Sequence, residues 1–411
     1  MSPRRVFVRG AGARTALGRT WPESVAALAA GASAVGPIEG FDARGFPCAV
    51  AAPVPGATEG ATEGDRRLAF ALPAAREAWA AAGLTVPPGR LGVFVGAESG
   101  RVTFATLVAL ARAAGGGDTF DHASFLREGP ALAAHLAPAR LSPASVTSAL
   151  AAALGARGPV ATVSLACASG AAAIAEAARA VRLGECDVAL AGGVGADVDA
   201  LLLAAFGLLG ALSARGVSCP FDARRDGFVL GEGAAMVVLS SERGAAIAEI
   251  AGTGGSLDAH HLTAPHPGGE GAVRAMTAAL RAGGAFTLGG APSPPVDYVQ
   301  AHGTSTVAND AVEAAALRRV LGADLERARV SSVKGALGHA IAGAGALGFL
   351  CALEAVEHGL VLPTAGLREP DRGCELPHVL GSAETRVVRG ALVNAFAFGG
   401  ANVSLFLRRA A

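Results

Sequence analysis

The sequence predicts an α/β fold built from two halves of similar strand–helix–strand rhythm. Three observations carry this reading. Apolar β runs alternate with Ala-rich helical patterns over all 411 residues, as stacked βα units require. The alternation starts afresh in the second half, which suggests an internal duplication without an obvious sequence repeat. Finally, the residues with chemical potential follow predicted strand ends, where open α/β sheets form their ligand crevice.

In chain order, "RRVFVRGAG" and "RLGVFVGAESG" read as strands, separated by the helix "DRRLAFALPAAREAWAAAGL". Asp65 stands at that helix's start and Gly83 near its end. "PVATVSLA", a helix from residue 168 and "DVALAGGVGADV" then give strand, helix, strand. The second half supplies "GAAMVVLSS", a helix around 271–283, "VDYVQAHGT", a helix over 310–321, "ARVSSVK", a helix over 343–358 and "GALVNAFAFGGANVSLFLRR". Residues 53–65 and 101–140 read as surface excursions, with the depth of any pocket depending on the second. The Gly-rich "AGGVGADVD" reads as a tight turn, lacking a dinucleotide or phosphate fingerprint.

Formal net charge is zero, which excludes a broad basic field for nucleic acid or anionic membrane. The basic start lacks a long apolar core, so no signal peptide is expected. The longest apolar run, "ALLLAAFGLLGAL" at 200–212, is too short to span a bilayer and reads as a buried helix. Six cysteines without paired metal spacing suit a reducing cytoplasm. His260, His261 and His266 cluster in "DAHHLTAPHP" but lack a fourth ligand at tetrahedral spacing, so no metal is expected. "CPFDARRDGF" reads as a buried charge network, with Asp222, Arg225 and Asp226 structural and Cys219 a poor nucleophile.

Among 34 cationic Lys and Arg residues there is one lysine, Lys334. Where Arg serves every other need, a lone Lys marks a site requiring a compact ammonium. In "VSLACASGAAAIAEAARAV", Cys167 sits at the start of a helix. There the helix N-terminus is expected to lower its pKa, and the free amides can hold an oxyanion. His302, in "AHGTSTVANDAVEAAAL", and His339, in "SSVKGALGHAIAGAGALG", each follow a strand in a Gly-rich turn. Two neutral imidazoles there could donate to one carbonyl oxygen and stabilise an enolate. Lys334 and Glu313 are expected to form an ion pair fixing His339.

The segments "TVSLACASG", "CPFDARRDGFVLGEGAA", "AHGTST", "SSVKGALGHAIAGAGALG" and "NAFAFGG" occur in this order. In these the chain resembles, nearly end to end, the elongating β-ketoacyl-acyl carrier protein synthases of the thiolase superfamily. The resemblance implies a five-layered αβαβα fold wrapped around a central helix. Residues 1–245 would form a half carrying the nucleophilic Cys, and residues 246–411 a half carrying the catalytic histidines. It implies a Cys167–His302–His339 site supported by Lys334 and Glu313. Phe398 would join Cys167 in the oxyanion hole and, with Phe396, gate the site; Thr304, Thr306 and Gly399 would bind substrate. The activity implied is an acyltransfer: decarboxylative condensation of malonyl-carrier protein with an acyl group on Cys167. No cofactor is implied beyond the carrier's phosphopantetheine arm.

The implied partners are acyl carrier protein and either a second copy or a chain-length-factor-like homologue. A non-condensing, pocket-shaping subunit is the alternative reading, but such subunits lack the cysteine. Priming and thiolase-type relatives use Cys-His-Asn or a second cysteine, where this chain has His339 and no cysteine in "NAFAFGGAN". The chain departs from the family pattern at Val307 and Asn309, which replace Pro and Gly, and such Asn-Asp variants point to aryl polyene and related polyketide synthases. Ala397 replaces a Gly and is expected to stiffen the gating loop. Gly210 replaces a carrier-docking Arg, a role Arg215 could take.

Overall fold

The computed structural model describes residues 4–56, 65–102, 104–133, 141–285 and 295–410. Its first half runs through β1 (Phe7–Thr15), α1 (Trp21–Ala29), α2 (Arg66–Ala82), β2 (Leu91–Gly96), α3 (Phe104–Ala113) and α4 (His122–Ala133). It continues with α5 (Ala144–Leu154), β3 (Val160–Val163), α6 (Ser169–Leu183), β4 (Val188–Ala196), α7 (Ala200–Leu208) and β5 (Glu232–Ser240). The second half contains β6 (Ala248–Leu257), α8 (Glu270–Ala282), β7 (Tyr298–Gln300), α9 (Val307–Leu321), β8 (Arg329–Ser331), α10 (Ala344–His358), β9 (Gly390–Phe396) and β10 (Ala401–Arg409).

The strands lie in the order β3-β2-β4-β5-β1 and then, in the second half, β8-β7-β9-β10-β6. In both halves the first three strands of that order are parallel, the fourth is antiparallel to the third, and the fifth is antiparallel to the fourth. The same order and sense arise from two stretches of unrelated residues, so the duplication is one of topology. A short antiparallel pairing, Phe7↔Glu249 and Val8↔Ala248, joins β1 to β6.

Helices α2 and α5 cover the outer face of the first half's strands, and α8, with α9 packed beside it, covers that of the second. Between the two sets of strands lies a central layer of two helices, α6 and α10, one from each half, rather than a single central helix. They approach closely at small residues, where a Cβ on Gly170 or Gly345 would meet Ala346 or Ala171. Their buried sides (Ala173, Ala177 and Ala180; Ala346, Leu350 and Leu353) belong to one cluster with the inner sides of the strands. The stretch 341–358 is long and apolar enough to cross a membrane, but it is this central, buried layer.

The caps follow the chemistry read from the chain. The Asp65 side chain accepts from the Arg67 N–H at the start of α2, and Gly83 closes the helix with φ +57°. Two expectations fail. The glycines of "AGGVGADVD" lie inside β4, every residue of which is buried. A Cβ at Gly193 would sit 2.6 Å from the Ala342 carbonyl, and one at Gly195 2.0 Å from that of Ala340. These glycines let a loop from the other half press onto the strand. The run at 200–212 is also no buried helix. Asp199 caps α7 at Leu202 N–H, but only Ala200 and Leu203 are buried, and Leu208 is 91% exposed.

Residues 104–133 form the helices α3 and α4, which pack on one another. The rest of the two excursions, 57–64, 103 and 134–140, lies outside the described residues. The "CPFDARRDGF" network is a built one. Asp222 pairs with Arg224 and accepts from the Arg368 and Glu369 amides, while Arg225 pairs with Asp371. Asp226 accepts from Ser213 and the Arg215 amide.

Candidate active site

Beyond β3 the chain reverses sharply before entering α6. Leu165 (φ −143°, ψ 41°) and Ala166 (φ +45°) carry Cys167 into the interior on a single 3-10 turn, Ala166–Ala168. Ala166 therefore holds a left-handed conformation that a residue with a Cβ seldom takes, and such strain concentrates at functional turns. The Gly three residues past the cysteine has a packing reason. A Cβ on Gly170 would meet the Ala342 carbonyl at 2.8 Å, so the glycine lets the two central helix starts touch.

The second half answers with two turns. His302 follows β7, and Glu313, nearly two turns into α9, accepts the His302 and Gly303 N–H groups at 2.8 Å each. Asp310 accepts the amides of Thr304, Ser305 and Phe221. His339 follows β8 and the helical turn Lys334–Leu337, and its Nδ1 accepts the Ile341 N–H at 3.2 Å. Ser305 (φ +69°) and Ile341 (φ +40°) are left-handed beside these histidines, as Ala166 is beside the cysteine.

The imidazoles meet edge to face, their centroids 5.7 Å apart at 80°. Cys167, His302, His339, Phe396, Phe398 and the two threonines Thr304 and Thr306 line one cavity of about 310 Å³. The Thr304 and Thr306 hydroxyls are 2.9 Å apart. The backbone N–H of Phe398 is directed at the Cys167 sulfur. Phe396 packs on His302 at 5.7 Å, and Phe398 packs on Phe206 at 6.4 Å.

Proton positions follow from these contacts. His339 uses Nδ1 as an acceptor, so its proton sits on Nε2. Lys334 Nζ lies 3.4 Å from His302 Nδ1 and donates to the His302 carbonyl; an ammonium has no acceptor, so His302 also carries its proton on Nε2. Burial, reinforced by the Lys334 charge, holds both imidazoles well below their ordinary pKa and therefore neutral. Burial brings Lys334 down to about 8, against the pull of Glu313, and brings Glu313 up to about 7.

Several expectations are corrected here. The Cys167 thiol is not acidic: burial pushes it up to about 12, and Lys334 and the Phe398 amide offset only part of this. Lys334 and Glu313 form no direct ion pair; both make their hydrogen-bond contacts with the His302 turn, and Lys334 acts on His339 only through its charge. Among the described residues, those lining the cavity include neither Gly399 nor any of 104–133. Gly399 instead shapes the turn after Phe398, at φ +83°, and donates to the Leu262 carbonyl at 2.7 Å. Ala397 is extended (φ −136°, ψ 154°), so its Cβ is accommodated without strain.

Other side chains in contact with the site escaped the reading of the chain. Asn394 donates to Glu313 at 3.0 Å and is itself held by Ser404. Phe228 sets its ring edge-on to His339 at 5.2 Å. Glu98 accepts from the Ala166 N–H at 2.9 Å, and its place two residues past the end of β2 was the available signal. The histidine-rich loop lies at the cavity mouth: Thr263, Ala264 and Pro265 line it, His260 packs on His266, and His261 Nδ1 accepts two amides.

A thiol, a backbone donor aimed at it and two neutral imidazoles around one cavity, in a duplicated α/β fold, are the groups that acyl transfer to a thiol would need. The comparisons with known proteins agree. The β-ketoacyl synthase N-terminal domain matches residues 3–245 and the C-terminal domain matches residues 247–368, so the chain belongs to the β-ketoacyl synthase family.

The chain is 34% identical to a 3-oxoacyl-[acyl-carrier-protein] synthase 2 of Coxiella burnetii, over 100% of this chain and 99% of that protein. The solved ishigamide ketosynthase/chain length factor superposes with a TM-score of 0.86 at 33% identity, covering 100% of each chain. A type II PKS ketosynthase bound to the hexaketide, in complex with its acyl-carrier protein, superposes with a TM-score of 0.86 at 28% identity, again over 100% of each chain.

Proposed function

We propose that this chain is a β-ketoacyl-acyl carrier protein synthase that elongates an acyl group held on Cys167. The carrying observation is one cavity containing the Cys167 sulfur, the Phe398 amide and the two imidazoles whose Nε2 protons are free to donate. In the first half-reaction Cys167 attacks the carbonyl of an acyl-carrier thioester. The oxyanion is held by backbone N–H groups of Cys167 and Phe398, and the thiol proton leaves with the carrier's phosphopantetheine sulfur.

In the second half-reaction a malonyl thioester occupies the cavity with its carbonyl oxygen facing His302 and His339. The C–CO2 bond breaks, carbon dioxide departs, and the electron pair becomes an enolate held by the two Nε2–H donors. The enolate carbon attacks the acyl-cysteine, and the released sulfur takes up a proton. The product is a β-ketoacyl chain two carbons longer, on the carrier. No electrons are transferred overall, and the proposal calls on no cofactor beyond the phosphopantetheine arm.

The carrier would meet the cavity mouth, where Leu209 and Val307 line the opening and Leu208 and Leu262 adjoin lining residues. A second ketosynthase-like chain, a copy or a chain-length-factor homologue, would pair along β3. That strand is an edge of the sheet and is partly exposed, a geometry that invites strand pairing. The product class would be a polyene polyketide, a reading that rests on the Asn309–Asp310 variant of the family pattern; Asn309 lines the mouth and donates to Asp310. The six free, buried thiols suit a reducing cytoplasm.

The test is to incubate the protein with acyl-carrier proteins of graded length and malonyl-carrier protein, then weigh protein and products by mass spectrometry. Wild type should gain the acyl mass and release a product two carbons longer, while Cys167→Ala should gain none. Equal acyl mass on both proteins would overturn the reading.

A further inference from the structure

We propose that Glu98 is a positioning residue for the nucleophile, its carboxylate bracing the turn that presents Cys167; this rests on the reading of Cys167 as the acylated residue. One oxygen, Oε1, accepts the Ala166 N–H at 2.9 Å and lies 3.0 Å from the Ser169 hydroxyl. The other, Oε2, accepts the Ser164 hydroxyl at 2.7 Å. The Ser169 oxygen in turn accepts the Leu165 N–H at 2.8 Å. A single carboxylate thus ties down residues 164, 165, 166 and 169, on both sides of the cysteine.

The brace acts where the backbone needs it. Ala166 is the left-handed residue at φ +45°, and its amide is the one Glu98 holds. Released, this turn would relax toward ordinary φ and carry the sulfur away from the Phe398 amide. Glu98 is itself fixed from behind, since Arg67 donates to its carbonyl and is anchored to Asp65 and Ser145. The Ala166 N–H and the Ser164 hydroxyl donate to the carboxylate, while the single Ser169 proton is shared between Glu98 and the Ala166 carbonyl 2.7 Å away.

The charge has a second consequence. A carboxylate beside the cysteine opposes thiolate formation, in the same direction as burial. Glu98 therefore serves geometry at the expense of resting nucleophilicity, and its influence falls on acyl loading. Decarboxylation depends on His302 and His339, which Glu98 does not touch.

Glu98→Ala and Glu98→Gln separate the two effects. In Glu98→Ala, acyl loading from acyl-carrier protein should slow by about tenfold at unchanged KM, because misplacing a reacting group costs rate rather than affinity. Glu98→Gln keeps the size and one acceptor oxygen but loses the charge. Its Cys167 should be alkylated by iodoacetamide about three-fold faster at fixed pH, equivalent to about half a pH unit of thiol acidity. Loading and alkylation at wild-type rates in both variants would overturn the proposal. Failure of wild type to load any acyl group would instead sink the reading of Cys167, while the alkylation comparison would still report on Glu98.

Discussion

The Lys334 ammonium lies 3.4 Å from Nδ1 of His302 and donates to the carbonyl oxygen of the same residue. It thereby sets the imidazole's tautomer and adds to the burial that keeps the ring neutral, and it does so as the chain's single lysine. Because burial holds Lys334 at about 8, this control is lost as pH rises through that value.

Malonyl decarboxylation should therefore fall on an alkaline limb centred near pH 8, read as kcat against pH. Lys334→Arg keeps a cation but not a compact one, and its planar fork does not fit between the His302 carbonyl and ring. Turnover should drop about 100-fold, a loss of one positioned hydrogen-bonding group. Unchanged turnover in this variant would make the lone lysine an accident of composition.

Cys167 should behave as a shielded thiol. With burial raising it to about 12, alkylation by a small neutral reagent should climb about tenfold per pH unit between about pH 8 and 11, since the thiolate is the reacting form. Lys334→Met removes the charge that offsets burial and should slow alkylation up to about pH 8, the difference from wild type closing above it as Lys334 loses its own proton. A plateau below pH 8 would show that the thiol is acidic after all.

Glu313→Ala should destabilise the protein as well as inactivate it. The substitution leaves the buried His302 and Gly303 amides without their acceptor, at about 1–3 kcal/mol each. A urea midpoint lowered at unchanged slope would register this; wild-type stability would mean that another acceptor moves in.

Gly195→Ala tests the contact between halves. Its Cβ would fall 2.0 Å from the Ala340 carbonyl, beside His339. Overpacking of this kind costs about 1–3 kcal/mol or more and should displace the His339 turn. Melting temperature and malonyl decarboxylation should fall together, whereas a loss of neither would mean that the loop is free to retreat.

Leu208→Ser combined with Leu262→Ser should raise the KM for carrier-bound substrate while leaving Cys167 alkylation unchanged. Both side chains are strongly exposed beside the cavity mouth, 91% and 79% respectively. Binding through such a surface should also respond weakly to salt, since exposed charge pairs are what salt screens. A KM equal to wild type would place the carrier elsewhere.

Much of this protein is written locally in its chain. The cap of Asp65 and the stop at Gly83 bound α2 because each acts on neighbouring amides. The lone Lys334, the Cys167 helix start and the two strand-ending histidines could be picked out for the same reason, and the cavity that they share was inferred from the order of their segments.

Tertiary structure alone decided three matters. Gly192, Gly193 and Gly195 read as a turn, yet they lie in a buried strand; Gly193 and Gly195 make room for the Ala342 and Ala340 carbonyls almost 150 residues away, and Gly192 for the Ala235 carbonyl of the adjacent strand. The leucines at 208 and 209 read as buried and are exposed, because periodicity reports that a helix has an apolar face and not whether anything covers it. The Cys167 thiol looked acidic from its helix start. What sets its proton affinity is the low-dielectric packing around it, which depends on both halves closing over the site and outweighs the field of one helix end.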